Sequence, residues 1–289
     1  MKIPLDHVGI AAHSLAQARA SFERLGFRMT ELSVHSGSLG PGLPIEPWGT
    51  ANHCAMFRHG YLETLGPHGE GESRIKRVQA MLARYEGPHI VAFRCDDAEQ
   101  CHRELLALGA PVEPIKQLER MAPFGSDGQQ ERLAQFRLVG LASPPYVEAR
   151  VQITEHRTPE VIWQPHLLDH PNSATAITDV VFKTDDADAT ALRYGTHLGG
   201  TLSRHRHGIR VDLARGSLHF VTAREWALWR PGAPVLPTPS PVALGFSVAS
   251  RDALVSALAA GKVEWEKDDV LDLVVDGGAG HGATLFFRA

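Results

Sequence analysis

Apolar residues along this chain switch between strand-like and helix-like spacing in a pattern that repeats four times. Residues 88–109 contain an apolar strand, an Asp-Asp-Ala helix start and a helix that ends in Leu-Gly, and residues 178–199 repeat that order. Residues 5–26 follow the same plan with Ser14 as the N-cap, and residues 242–261 follow it again. A polar N-cap and a final glycine are the ordinary start and stop signals of a helix.

Strand-like segments follow each of these helices, so the repeated unit is predicted to be strand–helix–strand–strand–strand. Four βαβββ modules predict an α+β fold of two paired-module domains, at residues 1–156 and 175–289. The segment 157–174 is rich in Pro, Trp and His and lacks clear periodicity. It is predicted to be the linker between the two domains.

Composition narrows the functional classes. The chain has 289 residues, of which 43% are hydrophobic and 21% charged, as in globular proteins with a substantial core. A net charge of −4 gives no electrostatic footprint for nucleic acid, and no apolar stretch approaches membrane-spanning length. Three cysteines without zinc spacing, and a start without a signal-peptide pattern, favour a cytoplasmic location.

Two strand-like segments near the start each carry one metal-competent polar side chain. His7 lies in the apolar segment 5–10, and Glu63 lies in the segment 61–65. Because a strand alternates its faces with period two, Val8 and Ile10 are predicted to face a helix and His7 the opposite side.

Three motifs in the first half carry a family resemblance: Leu5-Asp6-His7-Val8, Trp48-Gly49-Thr50-Ala51-Asn52-His53 and Tyr61-Leu62-Glu63. With the module pattern, they resemble the glyoxalase-like branch of the vicinal oxygen chelate superfamily, which includes glyoxalase I, extradiol ring-cleaving dioxygenases and fosfomycin-resistance proteins. The resemblance implies that paired modules form a curled mixed sheet around a cup. It also implies a divalent metal (Fe, Mn, Ni or Zn) held by the first and last strands of each module.

The second module supplies its metal ligands less clearly. His7 and Ile90 stand at the same distance before Gly26 and Gly109, the glycines that end their helices, whereas His89 is one residue further away. A one-residue slip moves a side chain to the other face, so register puts Ile90 in the cup unless a bulge at Pro88 restores His89.

Glu155 is the best counterpart of Glu63 on the last strand of the second module, with Glu148 and Gln152 behind it. The predicted metal ligands are His7, Glu63, His89 and Glu155. Glu63 and Glu155 are also the predicted catalytic carboxylates, and the subset without Glu63 would resemble the two-His-one-carboxylate site of extradiol dioxygenases. The predicted substrate contacts are Trp48, Asn52, Tyr61, His156 and Trp163.

The second half is poor in metal ligands. Asp179 or Val180 holds the first-strand position of the third module, and His219 lies on its last strand. The fourth module offers Leu244 and Phe286, neither of which ligates metal. We therefore expect the active cup in the first half, and a second half that is structural or serves dimerisation or closure.

Three functions follow from these residues and the resemblance. The first is a metal-dependent enzyme, of lyase, isomerase or dioxygenase type, that acts on a small metabolite with vicinal oxygens. The second is a metal-free protein on the same fold that binds or sequesters a small molecule, which Ile90 favours. The third is an extradiol dioxygenase. The expected partner is a small-molecule substrate, without nucleic acid or membrane, for a monomer or homodimer.

Overall fold

The chain folds into two halves, each built around one mixed sheet. The computed structural model describes residues 2–37, 44, 46–71, 74–126, 128–268, 270 and 272–289. Within them, the first sheet has the strands β1 (Leu5–Ala11), β2 (Ser33–Gly37), β3 (Glu46–Met56), β4 (Tyr61–Pro67), β5 (Gly87–Arg94), β6 (Lys116–Phe124), β7 (Gln130–Leu141) and β8 (Arg150–His156). The second has β9 (Ala174–Lys183), β10 (Thr201–His205), β11 (Gly208–Asp212), β12 (Ser217–Val221), β13 (Ser240–Val248), β14 (Glu266–Asp268), β15 (Asp272–Val275) and β16 (Thr284–Arg288).

The helices lie between these strands. They are α1 (Leu15–Arg24), α2 (Ile75–Leu82), α3 (Ala98–Ala107), α4 (Pro159–Ile162), α5 (Ala187–Leu198), α6 (Ala223–Trp229) and α7 (Arg251–Ala260). In the described part of the chain, none of them combines the length and the apolar character that crossing a membrane requires.

Both sheets have the same strand order, which confirms the prediction of four βαβββ modules in an α+β fold. The first strands of paired modules, β1 and β5, run antiparallel at the centre with Val8 opposite Val91. The last strand of each module, β4 or β8, pairs in parallel on the outer side of its first strand. The second sheet repeats this arrangement, with Val180 opposite Leu244.

The module helices begin at the polar residues that the sequence indicated. In each of them, a side-chain oxygen of the N-cap accepts a hydrogen bond from the backbone N–H three residues later. These caps are Ser14, Asp97, Asp186 and Ser250. The Asp-Asp pairs of the sequence therefore start helices and are not paired catalytic carboxylates.

One apolar core joins the two halves and leaves the opposite sheet faces for the cups. Val8 and Ile10 are fully buried in a cluster that also contains side chains of β9 and β13. The ring of Phe27 lies 5.1 Å from that of Phe246 in the other half. In the segment between the sheets, His170 Nε2 donates to the Met56 carbonyl oxygen over 2.8 Å and fixes this segment to β3.

The first sheet curls until its edges meet. Arg120 of β6 donates from Nη1 to Ser33 Oγ of β2 over 2.6 Å, although these are the two edge strands of the sheet. The face that carries His7 therefore becomes the inside of a barrel-like enclosure, which we call the first cup.

Candidate functional site

The floor of the first cup consists of two rows of residues that run across β4, β1, β5 and β8. Residues paired between neighbouring strands face the same side of a sheet. The first row is Tyr61, His7, Ala92 and Gln152, and the second row is Glu63, Gly9, Ile90 and Arg150. Six of these eight residues line a cavity of about 520 Å³, and the other two are Gly9 and Ala92. Gly9 lets Ile90 and Glu63 approach each other over the centre of the floor, because a Cβ at position 9 would lie 3.0 Å from Ile90 Cβ and 3.3 Å from Glu63 Oε2.

A buried carboxylate holds His7 in place. Asp6 Oδ2 lies 2.7 Å from His7 Nδ1 and 2.9 Å from His156 Nε2, and all three residues are buried. Asp6 is the unpaired residue of a bulge in β1, between the pairs that Leu5 and His7 form with β5. The bulge turns the Asp6 side chain toward its neighbour, which regular alternation would place on the opposite face.

The charge of Asp6 determines the tautomer of His7. Burial raises the pKa of Asp6, but hydrogen bonds and charge interactions with His156 and His7 outweigh burial and hold that pKa well below its ordinary value. An ionised carboxylate only accepts hydrogen bonds, so Nδ1 of His7 must carry the proton. Neutral His7 then keeps its lone pair on Nε2, the ring nitrogen that Asp6 does not contact, and the residue lines the cavity.

Aromatic rings pack against His7 and His156, the two imidazoles that Asp6 contacts. The Tyr61 ring stacks on the His7 imidazole with 4.2 Å between centroids and 12° between planes. His156 packs against Trp163 at 4.7 Å, and Trp163 Nε1 donates to the Phe57 carbonyl oxygen over 3.0 Å. His156 and Trp163 therefore lie behind Asp6 and Tyr61 and do not line the cavity, whereas Tyr61 does.

The second carboxylate of the cup is Glu63. Its Oε1 accepts a hydrogen bond of 2.6 Å from Asn52 Nδ2, and both side chains line the cavity. Trp48 also lines the cavity, with the Arg74 guanidinium 3.7 Å above its ring. Asn52 Oδ1 and Trp48 Nε1 are enclosed and find no hydrogen-bond partner among the described residues.

His89 lies outside the cup. It is the unpaired residue of a second bulge, in β5, but its Nε2 donates to the Tyr85 carbonyl oxygen over 2.9 Å and its ring stacks on that of Tyr85. Burial lowers the pKa of His89 to about 4 and keeps the imidazole neutral. His89 is thus the counterpart of Asp6, and Ile90 is the counterpart of His7 in the cup.

Glu155 also lies outside the cup, because it shares a face of β8 with Val151 and Ile153. Its Oε2 accepts a hydrogen bond from the Ala98 backbone N–H at the start of α3, over 3.0 Å. Arg137 and Arg157 also donate to this carboxylate, so its remaining hydrogen-bonding capacity is largely used. The counterpart of Glu63 in the cup is Gln152, and the predicted set of four metal ligands is not brought together.

Arginines dominate the remaining wall. Arg74, Arg77, Arg120 and Arg150 line the cavity together with Glu63, Glu31 and Glu119. Arg150 Nε donates to Gln152 Oε1 over 3.1 Å. Burial first, and then neighbouring arginines, lower the pKa of Arg74 to about 9 and that of Arg150 to about 10, so both remain charged at neutral pH.

These residues do not fit a metal centre of three or four ligands. Asp6, His7 and His156 bring ligand atoms together, but one carboxylate oxygen already takes the N–H of both imidazoles in an enclosed position. On the cup side, the floor offers His7 Nε2 and Glu63 as ionisable ligands, whereas Ile90 cannot ligate. Catalytic metal sites ordinarily use three protein ligands and keep a position open for substrate.

The second sheet forms an equivalent enclosure, which we call the second cup. Its own side chains fill this cup. Its rows are Ser217, Asp179, Gly245 and Phe286, and then His219, Val181, Ala243 and Thr284. Asp179 stands in the position of His7 and His219 in that of Glu63, and they hydrogen bond to each other over 2.9 Å. Trp229 of α6 packs on Phe286 at 5.5 Å and donates from Nε1 to Asp268 Oδ2.

Sequence reasoning missed the role of Asp6 and the arginine wall. Two consecutive polar residues, Asp6 and His7, in an apolar strand were a usable signal for a bulge. Arg150 and Gln152 alternate with Val151 and Ile153, which placed both polar side chains on the cup face. Arg74 precedes a short helix that the module pattern did not include, and the sequence held no signal for its position.

Comparisons with known proteins agree with this architecture. Residues 5–198 match the family model described as a glyoxalase-like domain. No curated protein matches the chain.

Several solved structures share the fold. A hypothetical protein from Staphylococcus aureus superimposes with a TM-score of 0.66 at 13% identity, with 99% of each chain covered. A mutant of 4-hydroxymandelate synthase from Streptomyces coelicolor gives 0.52 at 14% identity, over 91% of this chain and 76% of that one. A fusion of a xylose isomerase-like TIM barrel with 4-hydroxyphenylpyruvate dioxygenase gives 0.53 at 11% identity, over 92% of this chain and 40% of that one. At these identities the likeness concerns the fold alone.

Proposed function

The chain belongs to the glyoxalase-like domain family, and on that premise we propose that it is an enzyme that moves a proton on a small metabolite with adjacent oxygens. One observation carries the proposal: Asp6 holds the Nδ1–H of His7, so that Nε2 faces the cavity as a base.

The proposed step needs no group beyond the cup and the substrate. His7 Nε2 takes the proton from a carbon next to a carbonyl group, and the electron pair of that C–H bond moves to the carbonyl oxygen as an enolate. Asp6 stabilises the imidazolium that forms, because its carboxylate is buried and ionised. The proton then returns to the neighbouring carbon or oxygen, with Glu63 as the second group able to carry it. This cycle describes an isomerase.

A metal-dependent form of this function stays a prediction from the family resemblance. A divalent ion in the cup would have His7 and Glu63 as its ionisable ligands. The arginines of the same wall would repel such a cation, and this repulsion argues against metal dependence.

The experiment measures exchange of carbon-bound hydrogen in D2O. Purified protein is incubated with a panel of 2-hydroxy ketones and 2-oxo acids, and NMR follows loss of the signal at the carbon next to the carbonyl. We expect exchange with wild-type protein and a decrease on the order of 100-fold or more in His7→Gln. Asp6→Asn should also lower the rate, because Nδ1 loses its charged acceptor. His89→Ala is the matched control and should exchange at the wild-type rate.

Metal analysis and chelation accompany this assay. Exchange that persists after dialysis against EDTA supports the proposed base, whereas stoichiometric metal and loss of exchange on its removal would support the metal-dependent enzyme instead.

Ile90 favours a second candidate, a protein that binds and sequesters a small molecule. An apolar residue in a ligand position, in an otherwise well-formed cavity, suits binding without chemistry. Tight binding of a panel compound, with no exchange above the rate of His7→Gln, would support this candidate and contradict the enzyme.

A further inference from the structure

Four arginines that line the first cup form no ion pair with the described residues. Among the described residues, no carboxylate oxygen lies within 4.0 Å of the Arg74, Arg77, Arg120 or Arg150 guanidinium, whereas Arg137 and Arg157 outside the cup both pair with Glu155. Burial desolvates the guanidinium groups of Arg74 and Arg150, whereas Arg77 is exposed at the rim. A desolvated guanidinium without an ion-pair partner is unfavourable, so such groups are ordinarily paired.

Three of these arginines form one group at one end of the cup. Arg150 ends the second floor row, with Ile90 and Gly9 between it and Glu63. The charges of Arg77 and Arg150 act on Arg74, and that of Arg77 acts on Arg150, so the three lie within electrostatic reach of one another. Glu63 and Glu113 act on Arg74 and Arg150 as opposite charges, but from beyond ion-pair distance. With strands about 4.8 Å apart, the Cα atoms of Arg150 and Gly9 are roughly 10 Å apart.

We propose, resting on the function proposed above, that the substrate carries an anionic group, a carboxylate or a phosphate, that Arg74, Arg77 and Arg150 bind at the end of the cup next to α2. A guanidinium presents two parallel N–H donors that match the oxygens of either group. The anion supplies a counter-charge at ion-pair distance, which no described residue of this wall provides, and turns the reacting carbon toward His7.

The neighbouring wall suits the rest of such a molecule. Trp48 offers an aromatic face next to Arg74, and its enclosed Nε1 finds no hydrogen-bond partner among the described residues. Val78 and Met81 of α2 and Ile90 give the same end an apolar surface. A compact molecule with one anionic group and an apolar or aromatic body matches both features and the cavity volume.

Calorimetric titration with matched probes tests the proposal. Mandelate and phenyl phosphate are the anionic probes, and mandelamide and phenol are their neutral counterparts. We expect at least one anionic probe to bind wild-type protein at least 10-fold more tightly than its neutral counterpart, with affinity that falls as NaCl rises. Preference for mandelate identifies a carboxylate, and preference for phenyl phosphate identifies a phosphate. Equal affinity of both probes in each pair would overturn the proposal.

Variants locate the contact. Arg150→Gln and Arg74→Met should each weaken the preferred anion about 10- to 100-fold and leave the neutral probe unchanged. Arg103→Met, at an exposed position of α3 outside the cavity, is the control and should bind as wild type. Arg150→Lys, which keeps the charge, should bind with intermediate affinity, and its circular dichroism confirms that position 150 tolerates substitution. Unchanged anion affinity in both Arg150→Gln and Arg74→Met would overturn the proposal.

The same titration separates this inference from the proposed enzyme. His7→Gln should keep the affinity for the anionic probe, because His7 lies in the other floor row. Anion binding without any hydrogen exchange would contradict the enzyme and leave the anion site standing. Hydrogen exchange without an anion preference would support the enzyme and contradict the anion site.

Discussion

The two cups of this chain share one geometry and differ in what their polar residues contact. In the first cup, His7 and Glu63 face a cavity and have separate partners: His7 donates to Asp6, and Glu63 accepts from Asn52. In the second cup, the equivalent residues Asp179 and His219 hydrogen bond to each other. One imidazole and one carboxylate stand in the same two positions in both, with their order exchanged.

Apolar side chains fill the second cup, which explains why Asp179 and His219 bond to each other and not to a ligand. Trp229 lies 6.0 Å from the His219 ring and packs on Phe286, whose counterpart in the first cup is Gln152. His219 is fully buried next to an apolar cluster, and its two ring nitrogens hydrogen bond to Asp179 and to His205 Nε2. The comparison teaches that a histidine and a carboxylate at these positions stabilise the fold when they pair with each other, and can serve chemistry when separate partners hold them.

The largest expected effect is the loss of stability when the side chain that fills the second cup is removed. Trp229→Ala removes a buried indole, and we expect the free energy of unfolding to fall by about 3–5 kcal/mol because of lost packing and the cavity left behind. Urea unfolding followed by circular dichroism measures it. Trp265→Ala, at a position that is 39% exposed, is the matched control and should cost less than about 1 kcal/mol. A cost for Trp229→Ala as small as that of the control would show that the second cup is not held closed by this side chain.

The next effect concerns the buried pair itself. His219→Phe leaves the Asp179 carboxylate without its partner, and we expect a loss of about 3 kcal/mol in unfolding free energy at pH 7 with no loss of first-cup ligand binding. His7→Phe should show the opposite result: a small change in stability and loss of hydrogen exchange. Similar stability losses in both variants would remove the distinction between the two cups.

The pH dependence of this stability has a definite sign. Burial raises the pKa of Asp179, but the hydrogen bond and charge of His219 outweigh it, so that the folded-state pKa lies below the ordinary aspartate value of 3.8. Its contribution is therefore present above pH 3.8 and is lost as pH falls through the lower folded-state pKa. Wild-type unfolding free energy should decrease more steeply below pH 4 than that of His219→Phe. Equal slopes would contradict this role of the pair.

A smaller effect should follow from restoring a ligand to the first cup. Ile90→His adds an imidazole on the floor beside Glu63, and we expect the affinity for Zn²⁺ or Ni²⁺ to rise about 10-fold or more above wild type. Calorimetry under identical buffer measures it, with His89→Ala as the control that should match wild type because His89 faces Tyr85. If His89→Ala lowered the metal affinity of wild-type protein, the placement of His89 outside the cup would be wrong.

The fold was predictable because the module repeats four times. Helix caps at Ser14, Asp97 and Asp186 stand at the same point of each module, so one pattern reinforced the next. The same counting placed Ile90 rather than His89 in the cup, since both first strands lead into helices that end at an equivalent glycine. The positions of His7 and Glu63 on the cavity wall agree with the alternation of their strands, although their chemical roles stay predictions.

Register between distant strands could not be predicted in the same way. Glu155 seemed the counterpart of Glu63, but the pairing of β8 with β5 sets its face, and the strands and loops between them leave that register open. The bulge that turns Asp6 toward His7 depends on the partner strand, so the two consecutive polar residues of β1 indicate a bulge but not its pairing. Trp229 belongs to a short helix outside the repeat, so nothing local indicated that it fills a cup.

Four modules in one polypeptide have an evolutionary consequence. In a dimer of identical two-module chains, every substitution appears in both cups, so a mutation that plugs one cup abolishes both. Here the cups are encoded separately, and the second could exchange its cavity for packing while the first kept its own. Duplication thus freed one copy to stabilise the protein and the other to diverge toward new ligands.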